Sequence, residues 1–227
     1  MEYIKYNLMK NIIIILLLSS FTASAGGFDS LSDREERWEL SFQTRYIDSI
    51  NIDFKGGAEA DLNDTLAWAI GLGYNFTENW AFNFDMGWSE AGYSGTRIDD
   101  NGTPATVSGD LYTSTANFSG IYNFTNKRFT PFAGASIGWT FIDSNIPSGE
   151  PPQTICWWDP WWGYVCSNYL PTKTSTEFNY GVVLGMRFDI NEKLFFRGSA
   201  GKQWIDFKNV SGTPDLTVFR FDIGVMF

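Results

Sequence analysis

Chemistry in this chain is limited first by what it lacks: among its 227 residues there is no histidine. The commonest general base is therefore unavailable for hydrolysing lipids or peptides. The remaining routes, a Ser-Lys pair or a carboxylate pair, need unpaired groups facing one another in a cleft. In the strand segments set out below, Glu39, Asp85, Asp189 and Asp222 share the non-apolar face with Arg45, Arg187, Arg197 and Arg220. Four carboxylates matched by four guanidiniums form a neutral, mutually paired set, and no lysine falls clearly on that face to act as a base. The expectation is a protein that is not an enzyme and that carries no cofactor.

The other reactive pair is Cys156 and Cys166, which bracket Trp157-Trp158-Asp159-Pro160-Trp161-Trp162-Gly163-Tyr164-Val165. In an exported chain two cysteines predict a disulfide, and closing this eleven-residue loop contributes about 3 kcal/mol on the chain-entropy relation. Two cysteines without histidine are too few ligands for a metal, so no metal site is expected. Asp159-Pro160 reads as a turn between two tryptophan pairs. Trp157, Trp158, Trp161 and Trp162, with Tyr164 beside them, are costly to leave in water. They have three possible covers: the loop folds over its own scaffold as a lid, lies on lipid headgroups, or presents its rings to a sugar or protein ligand.

Export is indicated by the N-terminus. Lys10 precedes the apolar run Ile12 to Leu18, and Ala23 and Ala25 stand at the two small-residue positions of a cleavage site. The run is shorter than the roughly 20 residues of a membrane-spanning helix. Residues 1–25 therefore read as a secretory signal peptide, with Met9 the better translation start, and residues 26–37 as a periplasmic leader. Beyond residue 25 the chain holds 14 basic and 25 acidic residues, an acidic balance that excludes nucleic acid as a partner.

From residue 38 the sequence breaks into eight segments of period-two alternation, the signature of strands with one apolar face. Trp38, Leu40, Phe42 and Tyr46 alternate with Glu39, Ser41, Gln43 and Arg45; Leu66 to Phe76 alternates with Ala, Gly and Asn; and the segments from 80, 112, 129, 180 and 194 follow the same scheme. The last carries Phe219, Phe221, Ile223, Val225 and Phe227 against Arg220, Asp222, Gly224 and Met226. Tight turns at 77–79, 125–128 and 191–193 separate long connections at about 47–64, 89–111, 143–176 and 206–216. Aromatic residues make up 18% of the chain, and in this layout they gather at both strand ends, as girdles at two membrane interfaces do. The fold class expected is an all-β, eight-stranded antiparallel transmembrane barrel over residues 38–227, with short periplasmic turns and four longer extracellular loops.

Two segments carry a family resemblance. The terminal strand closed by Phe227 resembles the assembly signal of bacterial outer-membrane β-barrels. Phe129-Thr130-Pro131-Phe132-Ala133-Gly134-Ala135-Ser136-Ile137-Gly138-Trp139 is similar to the "TPY-x-G-A-G-x-G-Y" strand of small barrels of the OmpA transmembrane-domain and OmpX type, with Phe132 and Ser136 where Tyr and Gly are commoner. The resemblance implies location in the cell outer membrane, contact with its lipid and lipopolysaccharide, and folding by the barrel-assembly machinery. It implies no particular activity.

The eight inward charges predict a paired polar plug, since an eight-stranded barrel is about filled by its own side chains. Small inward residues such as Gly71, Gly73, Gly181, Gly185 and Gly201 point the other way, towards space for water in a narrow channel for ions or small solutes. The charges outside the lumen are concentrated in the long connections, which sum to −10 against +1 for the tight turns. An acidic rim of this kind suits divalent cations that bridge lipopolysaccharide phosphates, or cationic peptides. Asp99-Asp100-Asn101-Gly102 lacks the spacing of a calcium loop and reads as a turn. Surface loops displayed for interaction or envelope integrity, or a narrow porin-like channel, are the two functions left standing.

Overall fold

The computed structural model describes residues 31–53, 59–98, 104–207, 210 and 212–227. The signal peptide, the Met9 start, the first part of the leader and the Asp99–Gly102 turn lie outside the described residues. Twelve strands follow one another: β1 (Trp38–Ile47), β2 (Ile50–Asp53), β3 (Glu59–Leu62), β4 (Thr65–Asn75), β5 (Trp80–Ile98), β6 (Pro104–Asn123), β7 (Phe129–Pro147), β8 (Gln153–Asp159), β9 (Gly163–Tyr169), β10 (Thr172–Asp189), β11 (Leu194–Asp206) and β12 (Asp215–Met226). Eight of them, β1-β4-β5-β6-β7-β10-β11-β12, pair antiparallel with their neighbours, and β12 returns to β1 to close an up-and-down barrel. Trp38 and Phe227 exchange backbone hydrogen bonds of 2.9 and 3.0 Å at the seam, so no open sheet edge remains there.

The turns between strands follow from local chemistry. The Asn191 side-chain oxygen accepts from the backbone N–H groups of Lys193 and Leu194 at 2.8 and 2.9 Å, and the Thr77 hydroxyl accepts from those of Asn79 and Trp80 at 3.2 and 3.0 Å. Aromatic rings meet in two bands. At the turn end Trp38–Tyr74, Trp80–Tyr122 and Tyr122–Phe124 lie 4.9, 4.9 and 5.4 Å apart; at the far end Trp68–Trp88 and Tyr180–Trp204 stack at 4.5 and 5.4 Å. Between the bands the outer face is apolar and exposed, including Phe219, Phe221, Ile223, Val225 and Phe227.

Above the second band the structure departs from the expected loops. β5 and β6 continue as a paired ribbon to Ile98 and Pro104, β7 and β10 reach Pro147 and Thr172, and the β2–β3 hairpin adds to β5 through Leu62↔Tyr93 and Glu59↔Thr96. Much of the segments expected as loops at 47–64, 89–111 and 143–176 is therefore strand. The reason is an inversion of amphipathicity. In the membrane band the apolar residues point out, whereas beyond it Ile52, Ala91, Ile205 and Val218 are buried and Asn51, Glu90, Asp206 and Asp215 are exposed. These extensions stand in water and so hide their apolar side chains inside, as a soluble barrel does.

Candidate functional site

The lumen has two storeys of opposite character. The lower one, at the turn end, holds all eight charges expected there. Glu39 accepts hydrogen bonds from Asn75 Nδ2 and Arg187 Nη1, both at 2.7 Å, and lies 3.5 Å from Arg197 Nη1. Arg187 donates to Asp189 at 2.7 Å, Arg197 to Asp222 at 3.1 Å, and Arg45 pairs with Asp85, which Arg220 approaches to 4.0 Å. Strand alternation brings these eight charges from five strands into one lumen, where Glu39, Asp85, Asp189, Arg45, Arg187 and Arg197 are buried against partners and Arg220 stays partly exposed.

Two participants escaped the reading of the sequence. Arg34, from the leader, is fully buried at the turn end of the barrel. It donates to Asp189 at 3.0 Å and to the carbonyls of Glu78 and Thr125 at 2.6 Å, while the Ser32 hydroxyl donates to Asp189 at 2.6 Å. The described part of the leader, residues 31–37, is therefore a stopper at that end. Its charge makes five guanidiniums for the four carboxylates of this storey, with Glu78 beside it, 3.6 Å from Arg34 Nε. Burial pushes the Glu78 carboxyl above its ordinary range, outweighing the attraction of Arg34.

The second is Phe195, fully buried between the guanidiniums of Arg187 and Arg197, whose central carbons lie 4.5 and 4.9 Å from its ring centroid. The ring faces cover two like charges that would otherwise face each other. Leu194-Phe195-Phe196 is an unbroken apolar triplet, so alternation could not show which ring turns inward; Arg34 stood in a leader with no periodicity at all.

The inward glycines do not open a channel in this storey. A Cβ on Gly224 would lie 2.3 Å from the ring of Phe195, and one on Gly185 would lie 2.6 Å from the ring of Phe132. Gly73 likewise admits Asn83 and Gly71 admits Gln43 and Ser41. At these positions the space that glycine leaves is taken by neighbouring side chains, whereas Gly181 and Gly201 line a small polar cavity of about 40 Å³ with Arg197, Arg220 and Asp222.

The upper storey, inside the extensions, is apolar and incompletely filled. A chamber of about 560 Å³ is walled by Ile52, Leu62, Leu111, Ile142 and Phe207, among others, and narrows to a neck of about 80 Å³ lined by Ile47, Ile205, Leu216 and Val218. Arg45, at the base of the neck, belongs to the ionic plug. On the outside of this storey the Tyr112 hydroxyl is held above its usual range by a hydrogen bond to Glu90.

The aromatic hairpin is separate from both. β8 and β9 pair only with each other, with Cys156 opposite Cys166 in a formed disulfide. Asp159 accepts from the backbone N–H groups of Trp161 and Trp162 at 2.8 and 2.9 Å, which builds the turn. Trp158, Trp161 and Trp162 are 74, 87 and 81% exposed, with Tyr164 and Trp157 also in the open. A lid over the barrel mouth, one of the three expected covers, is thus not what the hairpin forms. Among the described residues no group of three or more His, Cys, Asp or Glu is placed to hold a metal ion.

Comparison with known proteins gives a consistent fold. A family profile described as "Outer membrane protein beta-barrel domain" matches residues 13–227. No curated protein matches the sequence. Among solved structures, the outer membrane protein OprG from Pseudomonas aeruginosa aligns at 13% identity over 86% of this chain and 98% of its own, with a TM-score of 0.54. Neisserial surface protein A aligns at 13% identity over 85 and 98%, TM-score 0.48, and the attachment invasion locus protein Ail of Yersinia pestis at 10% identity over 85 and 99%, TM-score 0.47.

Proposed function

We propose, for a chain that belongs to the family of outer membrane proteins with a β-barrel domain and so resides in the outer membrane, that it is a non-catalytic, internally plugged scaffold whose work is done by what it displays outside. One observation carries this reading: five guanidiniums and four carboxylates lie together in the lower lumen, with Arg187 and Arg197 over Phe195 and Arg34 at the turn end. Passing an ion through it requires separating buried pairs, at several kcal/mol each. The four acids of the lower storey each already hold an arginine, so none of these is left as a general base, and the chain has no histidine to replace them.

Display falls to the disulfide-closed hairpin. Its rings stand clear of the barrel on a two-stranded arm, and exposed tryptophans of this density mark a contact surface for lipid headgroups or a surface ligand. The short turns face the periplasm and the extended strands face outside, next to lipopolysaccharide; insertion by the barrel-assembly machinery completes the picture. The test is single-channel recording of the refolded protein in planar bilayers, with and without reductant. Silence in both states, with heat-modifiable folding verified, is expected; reproducible conductance steps from the intact protein would instead make it a narrow channel. In parallel, replacing Trp157, Trp158, Trp161 and Trp162 by Ala should abolish binding to lipopolysaccharide vesicles or to cell surfaces while the barrel still folds.

A further inference from the structure

We infer that the upper chamber is a dead-end binding site for a small organic cation with a compact apolar body, and that Glu177 is the group that holds its ammonium. Glu177 projects inward from β10, where its backbone is paired with Thr140 of β7, and lines the chamber with Ile52, Leu111, Ile142 and Phe207. It is only 7% exposed, yet its carboxylate makes no hydrogen bond or ion pair with any described residue, unlike the lower-storey carboxylates Glu39, Asp85, Asp189 and Asp222. Its oxygens are left open to the cavity, and an entering N⁺–H donor supplies the partner they lack, in surroundings apolar enough to strengthen the charge-assisted bond.

The cavity and the charge agree on the ligand. About 560 Å³ lies within the range of sites for small organic molecules, and its isoleucine, leucine and phenylalanine walls favour an apolar body over water. The other charged groups on its wall, Glu59 and Lys173, are exposed at the rim, one of each sign, so Glu177 sets the polarity of the interior. Among the described residues of the extensions Asp61, Glu90, Asp110, Asp206 and Asp215 are exposed, an acidic surround that concentrates cations and repels anionic amphiphiles. Below the neck, Arg45 and Asp85 close the path, so the ligand is retained and does not cross the membrane.

The experiment uses the mature protein in lipid nanodiscs, titrated calorimetrically against empty nanodiscs with three probes of one shape: 1-aminoadamantane, 1-adamantanol and adamantane-1-carboxylate. The expected order of affinity is cation, then alcohol, then anion. Glu177→Gln should weaken the cation about tenfold or more, the loss of one charge-assisted hydrogen bond, and leave the alcohol unchanged. Ile142→Trp, which fills the chamber, should remove all three, and loss of the four hairpin tryptophans should change none. Equal binding of cation and anion, or a cation affinity unmoved by Glu177→Gln, overturns the inference. Should Ile142→Trp not fold, the Glu177→Gln comparison decides by itself, since it exchanges one oxygen for a nitrogen of the same shape.

Discussion

Replacing Glu39 by Gln keeps the shape of the side chain and removes one charge from the centre of the plug. Glu39 is 1% exposed and is shared by Arg187 at 2.7 Å and Arg197 at 3.5 Å, with Asn75 donating to the same oxygen as Arg187. The introduced amide can still accept from one guanidinium, but its NH₂ then faces donors, and two arginines share what remains. Removing one partner from a buried pair costs about 3–5 kcal/mol. Arg187 keeps Asp189 at 2.7 Å and Arg197 keeps Asp222 at 3.1 Å, which puts the expected loss at the lower end of that range. About 3 kcal/mol is roughly two decades in the folding equilibrium. The assay is reversible urea unfolding in lipid vesicles followed by tryptophan fluorescence, with heat-modifiable gel mobility as an independent probe. A cost below about 1 kcal/mol, the value of a solvated surface pair, would mean that water reaches these groups and that the lumen is not sealed.

Phe195→Ala removes a fully buried ring and sets two guanidiniums face to face; a loss of about 3–5 kcal/mol is expected in the same unfolding assay, with Leu at this position recovering part of it. Cys156→Ser/Cys166→Ser should leave barrel stability within about 0.5 kcal/mol, since β8 and β9 pair with nothing else, yet speed limited proteolysis at the hairpin markedly. Glu78, whose carboxyl is raised by burial, should make the barrel more stable as pH falls through its folded value towards its unfolded one, because the native state binds that proton more tightly; a pH series of urea midpoints should lose this component in Glu78→Gln.

The barrel itself was legible because a membrane strand has only two faces. Leu40 and Glu39, or Ile223 and Asp222, can be assigned to lipid and lumen by position, and a one-residue slip would put every charge into lipid. The same logic failed where the solvent changed. Beyond Trp88 the outer face meets water, so Ala91 and Ile142 turn inward and Glu90 and Asp143 outward, and a membrane rule applied to them reads strand as loop. The glycines were legible only in part: their frequency on the inner face was visible, but whether the vacated space is filled, as by the ring of Phe132 at Gly185, or left as a small cavity, as at Gly181 and Gly201, depends on a strand far away in sequence.

Local composition and alternation thus determined the number of membrane strands, their register towards lipid, the aromatic bands, the eight inward charges and the cysteine pair. These are properties of a residue and its neighbours within one strand or one hairpin. Only the closed tertiary structure decided who partners whom: that Glu39 serves Arg187 and Arg197, that Arg34 enters from the leader, that Phe195 lies between two guanidiniums, and that Glu177 has no partner among the described residues. Pairing across a lumen is set by strand stagger and barrel curvature, which bring together residues more than a hundred positions apart and leave no periodic trace in the chain.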